Sequence, residues 1–272
     1  MVSFSSLLHA LKTYELKSIL FHVFSIPSSD LVIVSFQKCG KTWLRMMLSH
    51  VLSKKYDIKD VKLDLQMMTL FRPGVPNILV SHAGSTKDNN KVDFGNIFSK
   101  KKIVFLMRDP RDIVVSLFHG SRTRDLVYSG DDISTFIRHS GSGFPKILEF
   151  MRTWHNEIMK RPKDFIIVRY EDMKEDSARE LSRIFTFMNV DVSEKLLKEA
   201  ADYASFGNMR KLEMENKVND YRMRPGNKND PNSFRTRRGK VGGFRDELLD
   251  EDICYINHMM AERMPKEFGY VV

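Results

Sequence analysis

The segment from Leu31 to Leu52 constrains the fold more than any other part of the chain. Residues 31–36 (LVIVSF) form a short apolar run rich in β-branched side chains, which is typical of a buried strand. A tight polar loop, QKCGKT, follows at 37–42, and apolar side chains then recur at helical spacing as far as Leu52. The segment therefore predicts a strand, a loop and a helix. Backbone N–H groups at such a helix start form a binding site for a phosphate or sulfate.

The rest of the chain alternates between predicted strands and helices. Apolar runs predict further buried strands at 77–81, 102–107 and 165–169. Apolar spacing predicts helices after Asp109-Pro110 and over 144–160, about 174–188, 192–203 and about 248–263. This alternation indicates a parallel sheet covered by helices on both faces. Because the 272 residues contain no repeat and no linker, we expect one α/β domain over 1–272.

Two segments depart from this pattern. Residues 1–26 are amphipathic and predict a helix packed on the core, with a position on a membrane surface as the alternative. They lack the continuous apolar stretch of a signal peptide, and no run approaches the ~20 apolar residues that span a bilayer, so we expect a cytoplasmic protein. Residues 213–236 are polar, rich in Asn and Arg and poor in core-forming residues, which indicates a mobile lid or a disordered segment.

The charge balance points to an anionic partner. Lys and Arg number 44 against 35 Asp and Glu, a formal net charge of +9. Nucleotides, sulfated or phosphorylated substrates, nucleic acid and membrane surfaces all fit that excess. The two cysteines, Cys39 and Cys254, are too few for a disulfide framework or a Cys-rich zinc site, and the eight histidines show no ligand spacing, so we expect no metal.

The loop at 37–42 has more than one interpretation. Gly40-Lys41-Thr42 matches the end of a Walker A motif, but the first glycine of that motif would be residue 35, which is Ser. A P-loop kinase stays an alternative; it would need Mg²⁺ and an acidic residue at a strand end, for which Asp109 is the candidate. A third possibility is a module that binds nucleic acid or other anions without chemistry, through the basic runs at 100–102 and 235–238.

Five short motifs occur in order along the chain: SFQKCGKTW at 35–43, RDPRDIVVS at 108–116, YEDM at 170–173, SF at 205–206 and RRGKVGGF at 237–244. In order and spacing they resemble the motifs of the cytosolic-type sulfotransferases. The resemblance implies a P-loop-kinase-like sulfotransferase fold. It also implies the donor 3′-phosphoadenosine 5′-phosphosulfate (PAPS), which becomes 3′-phosphoadenosine 5′-phosphate (PAP), with no metal and no nucleic-acid partner.

The resemblance also implies the residues that bind the donor. Lys38 would stabilise charge on the leaving group at the 5′ end. A clamp on the 3′-phosphate would comprise Arg108, Ser116, Arg237 and Arg238, since arginine suits bidentate phosphate contacts. Trp43 and Phe206 would sandwich the adenine, with Tyr170 at its edge. The complete implied donor set is Lys38, Cys39, Gly40, Lys41, Thr42, Trp43, Arg108, Ser116, Tyr170, Ser205, Phe206, Arg237, Arg238 and Gly239.

His82 follows the predicted strand at 77–81, where the family carries its catalytic histidine in a K-T-H or K-S-H segment. A neutral imidazole suits removal of the acceptor proton as the acceptor oxygen attacks sulfur. We therefore expect transfer to a hydroxyl, with an amine as the alternative. The loops expected around the acceptor, 84–98, 120–145 and 213–236, are rich in Ser, Gly, Asn and Arg. They favour a saccharide or lipid-linked acceptor over a simple small-molecule phenol.

Several positions differ from the family pattern or leave a choice open. The family usually has Ser where this chain has Cys39 and Thr where it has Lys41. Near a helix N-terminus, Cys39 is either a reactive thiol of lowered pKa or a small packing residue. The acceptor alternative is an aromatic slot lined by Phe94, Phe98, Tyr128 and Phe144. The family's dimer motif is missing near the C-terminus, so the oligomeric state stays open.

Overall fold

The structure is a computed structural model that describes residues 26–84, 98–123, 132–218 and 220–271. The helix expected over 1–26 lies outside these ranges except for its last residue. The strands are β1 (Leu31–Val34), β2 (Ile78–Ser81), β3 (Lys102–Met107) and β4 (Phe165–Arg169). All four predicted strands are therefore confirmed, each within two residues of the expected bounds.

The four strands form one parallel sheet in the order β2-β1-β3-β4. At the carboxyl end of β1, Val34 pairs with Ser81 on one side and with Phe105 on the other. Every residue of β1 is buried, as expected for a central parallel strand covered on both faces. The chain leaves β1 toward β2 and later returns to the opposite side at β3. The crevice between β1 and β3 is thus the point where open α/β sheets bind ligands.

Ten α-helices flank the sheet in the described residues. They are α1 (Lys41–Lys55), α2 (Leu65–Thr69), α3 (Pro110–Thr123), α4 (Ile133–Arg138), α5 (Phe144–Lys160), α6 (Tyr170–Glu175), α7 (Ser177–Phe187), α8 (Glu194–Tyr203), α9 (Phe206–Met214) and α10 (Asp250–Arg263). The expected α/β architecture is confirmed. No helix in the described residues is both long and apolar enough to cross a bilayer.

Two helices that the sequence did not predict, α2 and α4, begin at acidic caps. Asp64 accepts a hydrogen bond from the backbone N–H of Met67 at the start of α2, and Asp132 caps α4 in the same way. The helix expected over 174–188 is divided in two, because Asp176 has an extended backbone and caps α7. Short polar side chains that compete for backbone N–H groups thus set boundaries that apolar spacing does not show.

An aromatic cluster behind the sheet fixes the position of α5. Phe105 of β3 stacks on Trp154 of α5 and on Phe268 near the C-terminus, at ring centroid distances of 6.2 and 5.7 Å. Phe98 and Phe144 are also fully buried in this core. The expected aromatic slot is therefore wrong for those two residues, because they stabilise the fold instead of facing a ligand. Phe94 and Tyr128 lie outside the described residues.

Residues 213–236 contain two short 3₁₀ turns, Tyr221–Met223 and Pro231–Ser233, and only Asn219 lies outside the description. Asp220 and Asp230 cap the turns by accepting backbone N–H bonds. Met223 and Phe234 are buried, although the segment has few apolar residues. Local capping and two buried side chains therefore give the segment a defined path. Its movement as a lid stays a prediction.

Candidate active site

A cavity of about 430 Å³ opens at the carboxyl ends of the strands, where the loops after β1, β2, β3 and β4 converge. The predicted site residues that line it are Lys38, Gly40, Lys41, Thr42, Trp43, His82, Arg108, Ser116, Tyr170, Phe206, Arg237, Arg238 and Gly239. The cavity lining does not include Cys39 or Ser205. Of the three expected acceptor loops, only 213–236 contributes lining residues among those described.

The loop between β1 and α1 is shaped by two residues with positive φ. Lys38 has a φ of 67° and Gly40 a φ of 91°. A Cβ at Gly40 would lie 2.8 Å from the Tyr170 ring, so the close approach of loop and ring requires glycine. No side chain caps the start of α1. The backbone N–H groups of its first turn are therefore available to an anion in the cavity.

Lys38 reaches across the crevice to α3. A Cβ added at Gly120 would lie 2.6 Å from the Lys38 ammonium nitrogen, so the ammonium lies directly against this helix. Gly120 leaves room for it because glycine has no side chain. Lys38 is also one of the residues that line the cavity.

Cys39 points away from the cavity. Its side chain is 1% exposed, and Sγ lies 3.8 Å from the Gln37 carbonyl oxygen. Burial raises the pKa of the Cys39 thiol to about 12, despite the lowering effect of Lys41 and Arg108. The reactive-thiol alternative is therefore wrong, and Cys39 is a packing residue. Because Cys39 is not among the lining residues, its side chain does not contact the cavity.

Lys41 and His82 form the centre of the site. The Lys41 ammonium is buried, 3.2 Å from the Ser35 carbonyl oxygen and within hydrogen-bond distance of both imidazole nitrogens of His82, 2.7 Å from Nε2. Burial lowers the pKa of Lys41 well below its usual value, and the nearby Arg45 adds to the effect. The contact joins the first turn of α1 to the end of β2.

The surroundings keep His82 neutral. Loss of water around the ring lowers the pKa of His82 from 6.5 to about 2, and the positive charge of Lys41 is the next cause. Arg45, Arg222 and Arg235 contribute in the same direction. Because each of these neighbours is positively charged, each opposes protonation of the imidazole. The imidazole is thus unprotonated at neutral pH, but with this pKa it is a weaker base than general-base catalysis favours, since that is most efficient when the pKa lies near the working pH.

Arg108 connects the two halves of the cavity. Its guanidinium donates to the carbonyl oxygens of Lys38 (3.3 Å) and Lys240 (3.1 Å) and lies 4.3 Å from the centre of the Tyr170 ring. Asp112, one helical turn further on, is 3.6 Å away. The Nε atom of Arg108 is buried and has no hydrogen-bond partner among the described residues. An N–H donor left without a partner in a cavity wall is suited to a ligand oxygen.

The loop from 237 to 244 is held by carboxylates on its far side. Arg237 forms a bidentate pair with Glu247 at 2.8 and 3.0 Å, and Arg238 donates to the same carboxylate at 2.9 Å. Although burial raises the pKa of Glu247, hydrogen bonds from His119 and these arginines hold that pKa well below its usual range. Glu247 therefore stays ionised and fixes both arginines at the edge of the cavity.

The aromatic side chains that line the cavity include Trp43, Tyr170 and Phe206. Trp43 meets the Tyr170 ring edge-on at 5.4 Å, and the Lys174 ammonium lies 5.8 Å from the centre of the Trp43 ring. Phe206 lies against Gly239, where an added Cβ would approach the ring to 2.6 Å. With a φ of 60°, Gly239 combines an unusual backbone conformation with this close ring contact. Trp43 and Phe206 both face the cavity, as the adenine sandwich requires.

Sequence reasoning missed several cationic side chains of the lining: Arg45, Lys174, Arg222, Arg235 and Lys240. Arg45 follows Lys41 by four residues and so faces the same side of α1, a signal that the helical spacing contained. Arg222 and Arg235 belong to the polar segment 213–236, where spacing gives no such signal. No group of three or more His, Cys, Asp or Glu side chains suited to a metal ion occurs within the described ranges.

Comparison with known proteins places the chain in a family. The model of the sulfotransferase domain matches residues 28–268. Amine sulfotransferase of Oryctolagus cuniculus is 23% identical over 90% of this chain and 83% of its own length. Cytosolic sulfotransferase 14 of Arabidopsis thaliana is 26% identical over 89% and 77%. Mouse sulfotransferase SULT7A1 complexed with PAP superposes with a TM-score of 0.66 at 19% identity, covering 93% of this chain and 91% of that chain. The resemblance seen in the five motifs is thereby confirmed, and this chain belongs to the sulfotransferase domain family.

Proposed function

We propose that this chain transfers a sulfuryl group from PAPS to a hydroxyl group. The observation that carries the proposal is the arrangement of cations at the sheet crevice. Lys38 and Lys41 surround the uncapped start of α1, and Arg108, Arg237 and Arg238 form a second group. The Arg108–Lys38 hydrogen bond joins the two groups. A donor with anionic groups at both ends can bind to both groups of cations at once. A ligand with one anionic group would need only one of them.

The residues present suit the donor in three further respects. The Nε donor of Arg108, a residue of the cavity lining, is buried and has no partner among the described side chains and backbone groups. Trp43 and Phe206 supply two aromatic faces in the same cavity, which fits a purine ring. Solved structures of the same fold are complexed with PAP, which supports PAP as the product of this chain as well.

The transfer assigns one task to each central side chain. The acceptor oxygen attacks sulfur while the bond from sulfur to the bridging phosphate oxygen breaks. The electron pair of that bond leaves with PAP, and the acceptor proton passes to His82. Lys38 offsets the charge that develops on the bridging oxygen. As in phosphoryl transfer, positioning and charge stabilisation supply most of the catalysis.

Lys41 keeps His82 in place and in its neutral form. The ammonium lies 2.7 Å from Nε2, so the imidazole edge is held against the first turn of α1. An anionic donor bound beside Lys41 would offset part of the positive charge and raise the His82 pKa back toward its ordinary value. The base would then become stronger only when the donor is present.

Titration calorimetry with PAP, run beside ADP and ATP with Mg²⁺, tests the donor. We expect PAP to bind without metal and Arg108→Ala to weaken it by at least about tenfold, or ~1.4 kcal/mol. Arg152→Ala is the matched control, because Arg152 is exposed on α5 and lies outside the cavity lining. Preference for ATP with Mg²⁺, indifferent to the 3′-phosphate, would favour the kinase alternative and overturn the proposal.

His82→Ala tests the base. We expect this variant to lose turnover while PAP still binds, because the imidazole acts on the acceptor proton and not on the nucleotide. A loss of PAP affinity instead would give His82 a structural role. The relatives named as cytosolic support a cytoplasmic site of action. An amine acceptor, named for the rabbit relative, is the second candidate.

A further inference from the structure

A second group of arginines lies close enough to His82 to act on it electrostatically. Arg45, Arg222 and Arg235 all line the cavity, and all three lower the pKa of His82 through their charge. They come from α1, from the 3₁₀ turn at Tyr221–Met223 and from the end of the polar segment. Three separate elements therefore bring positive charge to the same wall.

Arg45 lines the cavity, and one of its nitrogen donors has no hydrogen-bond partner among the described residues. It lies one helical turn beyond Lys41 on the same face of α1, and its Nε atom is buried with no hydrogen-bond partner in the described parts of the chain. Burial, followed by the charge of Arg222, lowers the pKa of Arg45 to about 10. A buried guanidinium nitrogen left unpaired is costly unless a ligand oxygen completes it.

Carboxylates do not neutralise this wall from within the cavity. Arg222 pairs with Asp220 at 2.8 Å and with Asp64 at 3.6 Å, but neither of these acids lines the cavity. Within the described residues, Asp112 is the one carboxylate in the lining, and it accepts the backbone N–H groups of Gly242 and Phe244 on the far side. Among the described residues, the lining beside His82 thus presents three arginines and no carboxylate.

The donor does not need these arginines. Its two anionic ends are assigned to the start of α1 and to the Arg108 group, which leaves Arg45, Arg222 and Arg235 facing the acceptor side of His82. Resting on the proposed function, we propose that the acceptor carries an anionic group near its reactive hydroxyl, and that these three arginines bind it. A carboxylate, phosphate or sulfate on the acceptor meets the requirement, since arginine pairs with each in the same bidentate way.

The wall also selects against cations. A protonated amine beside His82 would meet Lys41, Arg45 and Arg222 with no carboxylate in the described lining to receive it. Like charges in a partly dehydrated cavity repel strongly. An acceptor that is positively charged at neutral pH is thus the least favoured, although one relative is named an amine sulfotransferase.

A matched probe series tests the inference. 4-Hydroxyphenylacetate, 4-ethylphenol and tyramine share a phenol with a para substituent built on two carbons, but the substituent carries a negative, zero and positive charge respectively. Dissociation constants for the three are measured on the enzyme loaded with PAP. We expect the acid to bind at least about tenfold more tightly than 4-ethylphenol, and tyramine to bind most weakly. Equal affinities, or tighter binding of the neutral probe, would overturn the inference.

Variants show whether the cited arginines are responsible. Arg45→Gln and Arg235→Gln should each reduce the preference for the acid at least about threefold, while PAP affinity is retained. Arg152→Gln, which removes the same charge from an exposed position on α5, should leave the preference unchanged. If Arg152→Gln reduces the preference for the acid equally, the overall positive charge of the protein causes the preference, and the role assigned to these three arginines is refuted. Failure of PAP to bind the unaltered enzyme would refute the proposed function; normal PAP binding with no charge preference would refute this inference alone.

Discussion

The contact between Lys41 and His82 gives a prediction whose size follows from geometry. Replacing Lys41 by Met removes the ammonium charge and keeps a side chain of similar length in the buried position. The charge lies 2.7 Å from Nε2 of His82 and opposes protonation of the ring. Its removal must therefore raise the His82 pKa, which means that the imidazole takes up a proton at higher pH than in the unaltered enzyme.

Coulomb's law brackets the size of the effect. At this separation the repulsion is about 1.5 kcal/mol if the cavity behaves as water and roughly 6 kcal/mol at an effective dielectric constant of 20. Since ~1.4 kcal/mol corresponds to one unit of pKa, the His82 pKa should rise by roughly one to four units. Burial of the ring, the largest cause of the low pKa, is unchanged, and the charges of Arg45, Arg222 and Arg235 remain. The His82 pKa should therefore stay below its ordinary value of 6.5.

Imidazole nitrogen chemical shifts, followed by NMR between pH 4.5 and 8 in the free enzyme, measure this directly. In the unaltered enzyme we expect the His82 signals to keep their neutral-form values across the range. Lys41→Met should show a larger protonated fraction at the acidic end. Lys54→Met is the control, because Lys54 is exposed at the far end of α1. If the His82 signals titrate identically in Lys41→Met and the control, the amine does not hold the ring neutral and the reasoning is wrong.

Three further predictions concern the walls of the site. Gly239→Ala should weaken PAP binding in calorimetry without unfolding the chain, because the new Cβ would displace the Phe206 ring from 2.6 Å and the backbone has a φ of 60°. Glu247→Gln should lower the thermal unfolding midpoint at pH 7, and the difference in midpoint between variant and unaltered enzyme should approach zero well below pH 4. The reason is that folding lowers the pKa of Glu247, so the ionised carboxylate stabilises the fold at pH values above its unfolded-state pKa and loses that contribution as the pH falls toward its folded-state pKa. Iodoacetamide should label Cys254, which is exposed, much faster than Cys39, as mass spectrometry of the native enzyme can show.

That three of the residues proposed to bind the donor line one cavity could be predicted, because they lie directly after strands. Lys38, Arg108 and Tyr170 each follow β1, β3 or β4 within four residues. Parallel strands bring their carboxyl ends to one edge of the sheet, so contiguous motifs there become neighbours in space. Local sequence determines these positions, and the resemblance added the role of each.

The acceptor side could not be predicted in the same way, because distant contacts set its geometry. Glu213, fully buried at the end of α9, accepts the backbone N–H groups of Arg235 (2.6 Å) and Thr236 (3.1 Å). Arg210 lies over the Phe234 ring at 3.4 Å. These bonds close a chain of more than 20 residues and turn Arg235 toward the cavity. Composition alone marks such a segment as polar and gives no sign of where its cations point.

The placement of carboxylates explains why the site is both ordered and strongly positive. Ten lysines and arginines line the cavity in the described residues, namely Lys38, Lys41, Arg45, Arg108, Lys174, Arg222, Arg235, Arg237, Arg238 and Lys240. Glu247, Asp246 and Asp220 hold four of them by hydrogen bonds from outside the lining, which fixes these four cations without adding negative charge to the lining. Asp112, 3.6 Å from Arg108, is the one carboxylate in the described lining.

Cations held so close together repel one another in the free enzyme, and the fold must offset that repulsion. An acid inside the lining would relieve it but would also compete with an anionic ligand. Carboxylates behind the lining keep the cationic side chains ordered. The repulsion between those cations is then reduced only when an anionic ligand binds. On this argument an anion gains affinity at each place where the wall has a cation and no acid facing it. In the described lining Arg45 meets that condition, whereas Arg108 has Asp112 at 3.6 Å. The charge argument therefore supports the proposal of an anionic acceptor on the Arg45 side of the cavity.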